Sequence, residues 1–374
     1  IAFNIDADEA DLYNALTSYV EEQSIKASQA ENRSQGRILG FTMAMLQRRF
    51  ASSIYALRRS LQRMKDKRQA ILDDPQKYIE EQKRKQLPDN YEDLPDEEQQ
   101  RIMADLEDFV AFFDPDDLRE EIEKLGELII MAEDLESREI ETKLSRLKEE
   151  ITSRGIFDDP KNKLLIFTEH ADTLKYLVEK IREWGLSVTQ ISGSMKVGDS
   201  EERGTRIFAE REFKESVQVM VATEAAGEGI NLQFCWFMIN YDMPWNPMRL
   251  EQRMGRIHRY GQTKDCLILN FVAENTREGR VMEKLLTKLE EISSELGRDH
   301  VFDVVGELLQ PNEIERLFRD LYARNLTEDV ITSRIVEQVD IEKIKKISES
   351  TLEGLAKRNL NISALTQERE KAKE

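Results

Sequence analysis

The sequence predicts an α/β fold: a parallel sheet flanked by helices, with a large N-terminal helical arm and a C-terminal helical extension. Three observations carry this expectation. Between Lys163 and Val272, short apolar runs alternate with helix-like segments, as strands buried on both faces do when crossover helices join them. Upstream of residue 155 the apolar residues recur every three or four positions, the helical period. Beyond Glu274 that longer period returns in an increasingly charged chain.

In order, residues 1–5 read as a short strand. Asp6-Ala7-Asp8-Glu9 precedes a helix from Ala10 to Gln23 and places acids at its positive end. Residues 41–68 read as one amphipathic helix, with Leu46, Phe50, Ile54, Leu57, Leu61 and Met64 on a single face. Arg48, Arg49, Arg58, Arg59 and Arg63 lie off that stripe, as a solvated basic flank or as contacts for a nucleic-acid backbone. Residues 70–104 are rich in Asp, Glu, Lys, Gln and Pro, and their composition is that of a mobile linker or frayed helix. Asp116-Asp117 forms a cap-like start to a helix carrying Leu118, Ile122, Leu125 and Ile129. A second helix, near Ser137–Ile151, carries Ile140, Leu144, Leu147 and Ile151.

Leu164-Leu165-Ile166-Phe167 opens the sheet. A helix over 171–184, a strand over 188–191, a helix over 201–215 and a strand over 217–221 follow, then strands over 236–241 and 267–272. Helical segments over 278–296, 301–309 and 312–324 come next, and the tail from 329 to 374 is helical and highly charged.

Length and composition bound the function. The chain has 374 residues, enough for two or more domains. Its net charge of −19 seems to exclude nucleic acid, but the charge is segregated. Residues 71–150 hold 27 acidic and 11 basic side chains, a net of −16, so the rest of the chain sums to −3. Residues 33–68 hold ten basic groups and one acidic, a net of +9. The acidity belongs to one arm and leaves room for a phosphate-binding surface elsewhere. No apolar run approaches the length that spans a bilayer, and no secretory pattern is present. The chain opens at Ile1 in mid-pattern, which reads as a piece of a longer protein. Cys235 and Cys266 are too few for a disulfide framework or a zinc site, and suit a reducing compartment. His170, His258 and His300 have no metal-ligand spacing, and read as structural or surface groups.

One run organises the rest: Asn240 to Gln262, NYDMPWNPMRLEQRMGRIHRYGQ. It leaves an apolar strand, breaks at Pro244 and Pro247, and then carries Arg249, Arg253, Arg256 and Arg259. Spacings of three and four set side chains on one helical face, and a row of guanidiniums suits phosphate. Upstream, VATEAAGEGINL over 221–232 is a glycine-rich turn at a strand end, where open α/β sheets bind ligands.

The arginine run resembles motif VI of superfamily-two helicases and translocases, and the glycine-rich string resembles motif V. The D-x-P-W-N-P element is similar to that of the SWI/SNF-type branch, including the bacterial RNA-polymerase-associated (HepA-like) ATPases. The resemblance implies that the sheet is the second, C-terminal RecA-like lobe of a two-lobe ATPase. On that reading 1–19 is an inter-lobe segment, 20–155 a helical arm with a mobile linker near 70–104, 156–280 the lobe, and 281–374 the extension.

The resemblance also implies roles. Arg256 and Arg259 match the arginine fingers that neutralise charge on the γ-phosphoryl group of ATP. Gln252 orients the phosphate or the fingers. Arg253 joins this nucleotide-binding set or supports it by pairing with a carboxylate. Gly227 and Gly229 allow close backbone approach, and Asn231 faces the ribose or the arginines. Thr168, Gly193, Ser194 and Thr223 grip the phosphates of one strand. The departure from the family is glutamate at 224 and 228 where a basic residue is commoner, which argues against direct phosphate contact there. The implied cofactors are ATP and Mg2+. No G-x-x-x-x-G-K-[ST] loop is present, so the metal ligands are expected on the first lobe and this piece alone is expected to be inactive.

The implied partners are the first lobe and double-stranded DNA, with a protein docking on the 70–155 arm and no membrane. The implied setting is the cytoplasm, at the nucleoid. An alternative is a protein-interaction scaffold, with the acidic arm mounted on an inert lobe. A dinucleotide-binding enzyme would need a G-x-G-x-x-G after its first strand, which the sequence lacks.

Overall fold

The computed structural model describes residues 1–29, 32–91, 94, 96–224, 230, 232–244, 247–257, 265–284, 287, 330 and 333. The expected helices over 301–324 and most of the charged tail lie outside the described residues.

Five strands form a wholly parallel sheet: β2 (Leu164–Phe167), β3 (Val188–Ile191), β4 (Val219–Ala222), β5 (Phe237–Asn240) and β6 (Leu267–Asn270), in the spatial order β3-β4-β2-β5-β6. Leu164 of the central strand pairs with Val219 on one side and Phe237 on the other. All four residues of β2, β4 and β5 are buried. Alternate residues serve opposite faces. Leu164, Ile166, Val221 and Ile239 pack against α8 (Ala171–Glu183), whose Leu174, Leu177, Val178 and Ile181 form one stripe. Leu165, Phe167, Met220 and Met238 pack against Ala209 and Phe213 of α9 (Arg206–Glu215). Cys235 is buried on this second face, where burial pushes its thiol up to about 12.

A separate parallel pair joins β1 (Ala2–Phe3) to β7 (Val272–Ala273). Val272 N donates to Ile1 O at 3.0 Å and Glu274 N to Phe3 O at 2.9 Å.

The arm is a helical layer with its own core. It contains α1 (Ala7–Gln29), α2 (Arg33–Ser52), α3 (Ile54–Asp73), α4 (Pro75–Arg84), α5 (Asp96–Leu106) and α6 (Pro115–Ser137). Leu12, Leu16, Phe41, Leu46, Leu57, Leu61, Leu125 and Leu128 meet in one cluster. The single helix expected over 41–68 is two helices. Ser53 is extended (φ −159°, ψ 151°), and its hydroxyl accepts from Ala56 N at 3.1 Å, capping α3. The apolar period hides this break because Phe50 and Ile54 are buried on either side of it. Ser52-Ser53 is the signal, since serine competes with the helix for backbone hydrogen bonds.

Two further expectations differ from what is seen. The stretch 70–104 contains α4 and the start of α5. Leu87 and Tyr91 are buried in the arm core, and Tyr91 meets Phe41 edge-on at 4.9 Å. A few anchoring side chains order a segment whose composition alone is that of a linker. Helix α7 (Thr142–Ser153), expected in the arm, packs its Leu147 and Ile151 in the sheet core.

Candidate functional site

The carboxyl ends of the parallel strands converge on a buried network, centred on Asp242 just beyond β5. Its carboxylate accepts from Lys143 Nζ at 2.7 Å, Ser52 Oγ at 2.7 Å, Thr168 Oγ1 at 2.5 Å and Glu169 N at 3.0 Å. Four chain segments, α2, α7, the end of β2 and the end of β5, are tied to one side chain. Burial opposes ionisation of Asp242, yet the Lys143 ammonium overcomes it and holds the carboxyl well below the usual carboxylate range. His170 lies beside it. Burial, then the charge of Arg49, push its imidazole well below the ordinary histidine value, so it is neutral at pH 7. Lys143 is therefore the cation that keeps Asp242 charged. The same ammonium donates to Ala51 O at 2.7 Å and sits 4.3 Å from the Tyr241 ring centre.

The second part of the site is α10 (Pro247–Ile257), which carries the arginine run. Arg253 is 1% exposed and faces inward. Its Nε donates to Glu224 Oε1 at 2.8 Å and its Nη2 reaches the same carboxylate. Its Nη1 donates to Asn240 Oδ1 at 3.0 Å and Asp242 O at 2.7 Å, and the guanidinium lies 5.1 Å from the Phe167 ring centre. Of the two roles expected for Arg253, the geometry gives it a carboxylate partner, Glu224. With its fork engaged by a carboxylate, an amide and a carbonyl, it positions α10 on the sheet. Glu224, the departure noted in the sequence, is its counter-ion. Gln252, one residue earlier on the helix, is exposed, and Arg256 is half-buried. Arg259, Gly227, Gly229 and Asn231 lie outside the described residues.

The expected phosphate contacts divide. Thr168 is fully buried, with its hydroxyl committed to Asp242. Its hydroxyl oxygen points into the network. Thr223, at the end of β4, is buried, and its hydroxyl has no hydrogen-bond partner among the described residues. Gly193, past β3, is half-buried, and Ser194 is exposed with its Oγ 3.0 Å from Ser192 Oγ.

Four of the five arginines noted on α2 and α3, all but the exposed Arg59, are neither simply solvated nor turned outward as a row. Arg48 holds Glu169 through two nitrogens, one at 2.6 Å. Arg49 and Arg63 share Glu107 and Asp172. Arg58 holds Glu136 at 2.8 Å. Sequence reasoning passed over Lys143 and Ser52, which only the tertiary fold brings to Asp242. Asp242 itself stood in view as the first residue of D-x-P-W-N-P.

Among the described residues no cluster of three or more His, Cys, Asp or Glu side chains could hold a metal ion. No described helix is long and apolar enough to cross a membrane.

The helicase conserved C-terminal domain family matches residues 142–261. That stretch of the chain is similar to the conserved C-terminal domain of helicases. The matched span begins at the first residue of α7, in agreement with the packing of that helix on the sheet. The chain is 41% identical over 175 residues to the uncharacterized ATP-dependent helicase YqhH of Bacillus subtilis, covering 45% of this chain and 28% of that protein. It is 28% identical over 191 residues to the ATP-dependent DNA helicase DDM1 of Arabidopsis thaliana, covering 51% and 25%. It is 30% identical over 129 residues to a putative SWI/SNF-related regulator of chromatin, subfamily A member 3-like 1, of the same plant, covering 34% and 14%. Two of these relatives are ATP-dependent helicases by name and the third is SWI/SNF-related, and the chain spans 28% or less of the length of each.

Proposed function

We propose that this lobe is the second half of an ATP-driven translocase on double-stranded DNA, which closes on a first lobe to complete the nucleotide site. The observation that carries the reading is the division of labour on α10. Arg253 locks the helix to the sheet from within, while Gln252 stands exposed and Arg256 remains half-exposed on a rigid mount. A finger must not reorganise as charge develops on the transferred phosphoryl group, and a mount of this kind meets that need. Arg256, with Arg259, would bring positive charge to ATP held mainly by the first lobe, and Gln252 would orient it. Gly227, Gly229 and Asn231 would line the same cleft. ATP supplies the phosphoryl group whose hydrolysis drives motion, and the Mg2+ ligands belong to the first lobe.

Gly193 and Ser194, with Thr223, are the proposed contacts for the backbone of one strand. Such contacts are independent of sequence and sensitive to salt.

The test is DNA-stimulated ATP hydrolysis by the full-length protein, compared with Arg256→Ala. The substitution should lower the rate by roughly 10³-fold or more, the usual worth of a finger, without changing the thermal midpoint. Equal rates would end the reading.

A further inference from the structure

Helix α5 of the acidic arm lies across the carboxyl edge of the sheet. It reaches the ends of three strands and the arginine helix. Glu97 accepts from Arg206 Nη2 at 2.5 Å, and the same nitrogen donates to Gly193 O, just past β3, at 3.2 Å. Gln99 Oε1 accepts from Arg249 Nη2 of α10 at 3.0 Å. Gln99, Gln100 and Met103 line one small cavity with Glu169 and His170, which follow β2, and with Glu224, which follows β4. This is the face on which the proposed function places the DNA backbone.

We infer that α5 is a built-in occupant of the nucleic-acid face, its Glu97 carboxylate standing on Arg206 where a backbone phosphate would sit, and that DNA must displace α5 to bind. The inference rests on the proposed reading of that face and adds its regulation.

Three features support it. Arg206 is a trapped donor: its side chain is 7% exposed, and its buried Nε has no hydrogen-bond partner among the described residues. An incoming phosphate, with more acceptor oxygens than a carboxylate, could satisfy what Glu97 leaves open. The Glu97 side chain is 50% exposed, so the pair is of the screened, exchangeable kind and readily replaced by a polyanion. Finally, the segment is anchored at both ends, by Tyr91 against Phe41 and by the buried Leu106. Between them Ile102 and Met103 also pack on the arm core, so it is the first turn, Glu97 to Gln100, held by polar contacts, that lifts off the sheet while the arm core stays packed.

The same geometry assigns Arg206 a role that no motif suggested. With α5 withdrawn it becomes a phosphate contact beside Gly193 and Ser194, at the edge of the face where the Thr223 hydroxyl has no partner among the described residues.

The test measures duplex DNA affinity of the full-length protein by fluorescence anisotropy at fixed salt, for wild type, Glu97→Gln, Glu97→Lys and Glu98→Lys. Glu98 is exposed on the same helix, so its lysine variant controls for added charge. Glu97→Gln should bind up to about fivefold tighter, the range set by an exposed ion pair, and Glu97→Lys should bind tighter than Glu98→Lys. Hydrogen exchange over 97–106 should speed up when DNA is added to wild type. Equal affinities for the two lysine variants, or exchange in α5 that slows with DNA, would overturn the inference while leaving the DNA-binding reading in place. Failure of all four proteins to bind duplex would overturn both.

Discussion

Lys143→Met tests the network under the site. Lys143 Nζ makes three hydrogen bonds, to Asp242 Oδ1 at 2.7 Å, Ala51 O at 2.7 Å and Ser52 O at 3.3 Å. Methionine keeps much of the stem volume and removes the charge. Asp242, whose side chain is 6% exposed, is then left as a buried carboxylate without a cation. Breaking a buried pair from one side costs roughly 3–5 kcal/mol. Ser52, Thr168 and the Glu169 amide still donate to Asp242, which places the expected cost near the lower end, at about 3 kcal/mol. The assay is urea unfolding at pH 7, followed by circular dichroism, with the midpoint shifted and the slope unchanged. Asp242→Asn and the double variant complete a cycle, in which the two costs should fall short of additivity by at least about 1.5 kcal/mol, as expected for groups in contact. A cost for Lys143→Met below about 1 kcal/mol, or strict additivity, would refute the claim that Lys143 is the cation that holds the Asp242 network together.

Two further outcomes follow from the same region. His170 is depressed by burial and Glu141 is pushed up to about 7 by burial. Below pH 6.5 the unfolded state takes a proton that folded His170 refuses, so stability falls as pH falls. Between about pH 4.5 and 7, folded Glu141 keeps a proton that the unfolded chain gives up, so stability falls as pH rises. Each slope is up to about 1.4 kcal/mol per pH unit, and they oppose. Glu141→Gln should therefore unmask a stability that climbs from pH 5 to 6.5, and His170→Gln one that declines, both read by urea midpoints; parallel profiles for the two variants would refute the assignment. Arg253→Lys keeps the charge but loses the fork. It should cost about 2 kcal/mol from lost charged hydrogen bonds, seen as a lower midpoint in thermal scanning, and an unchanged midpoint would show that Arg253 does not fasten α10.

Much of the sheet was legible because its strands are buried on both faces. Leu164–Phe167 and Trp236–Ile239 read as continuous apolar runs, and Val188–Ile191 matched to the residue. Helix α9 starts later than its composition suggests, because Thr205 caps it by accepting from Phe208 N. The split between α2 and α3 was not legible from periodicity, since both helices bury the same stripe. The arginine run announced itself through spacing on one helix. What could not be read was which arginine turns inward. That depends on Glu224, 29 positions away from Arg253. The Asp242 network was beyond sequence reasoning for the same reason, with Ser52 190 positions distant and Lys143 99. Charge counts alone also mislead over 33–68, where most of the excess positive charge on α2 and α3 meets carboxylates of the arm and of α8.

The pairing of Ala2 with Val272 has a consequence for how the molecule assembles. It closes a span of about 270 residues, and chain closure of that length costs on the order of 5 kcal/mol in entropy. Hairpins of neighbouring helices, such as α1 with α2, need no such search. The short strand at the front of the chain is thus a late clasp, fastened after the bundle and the sheet have each condensed.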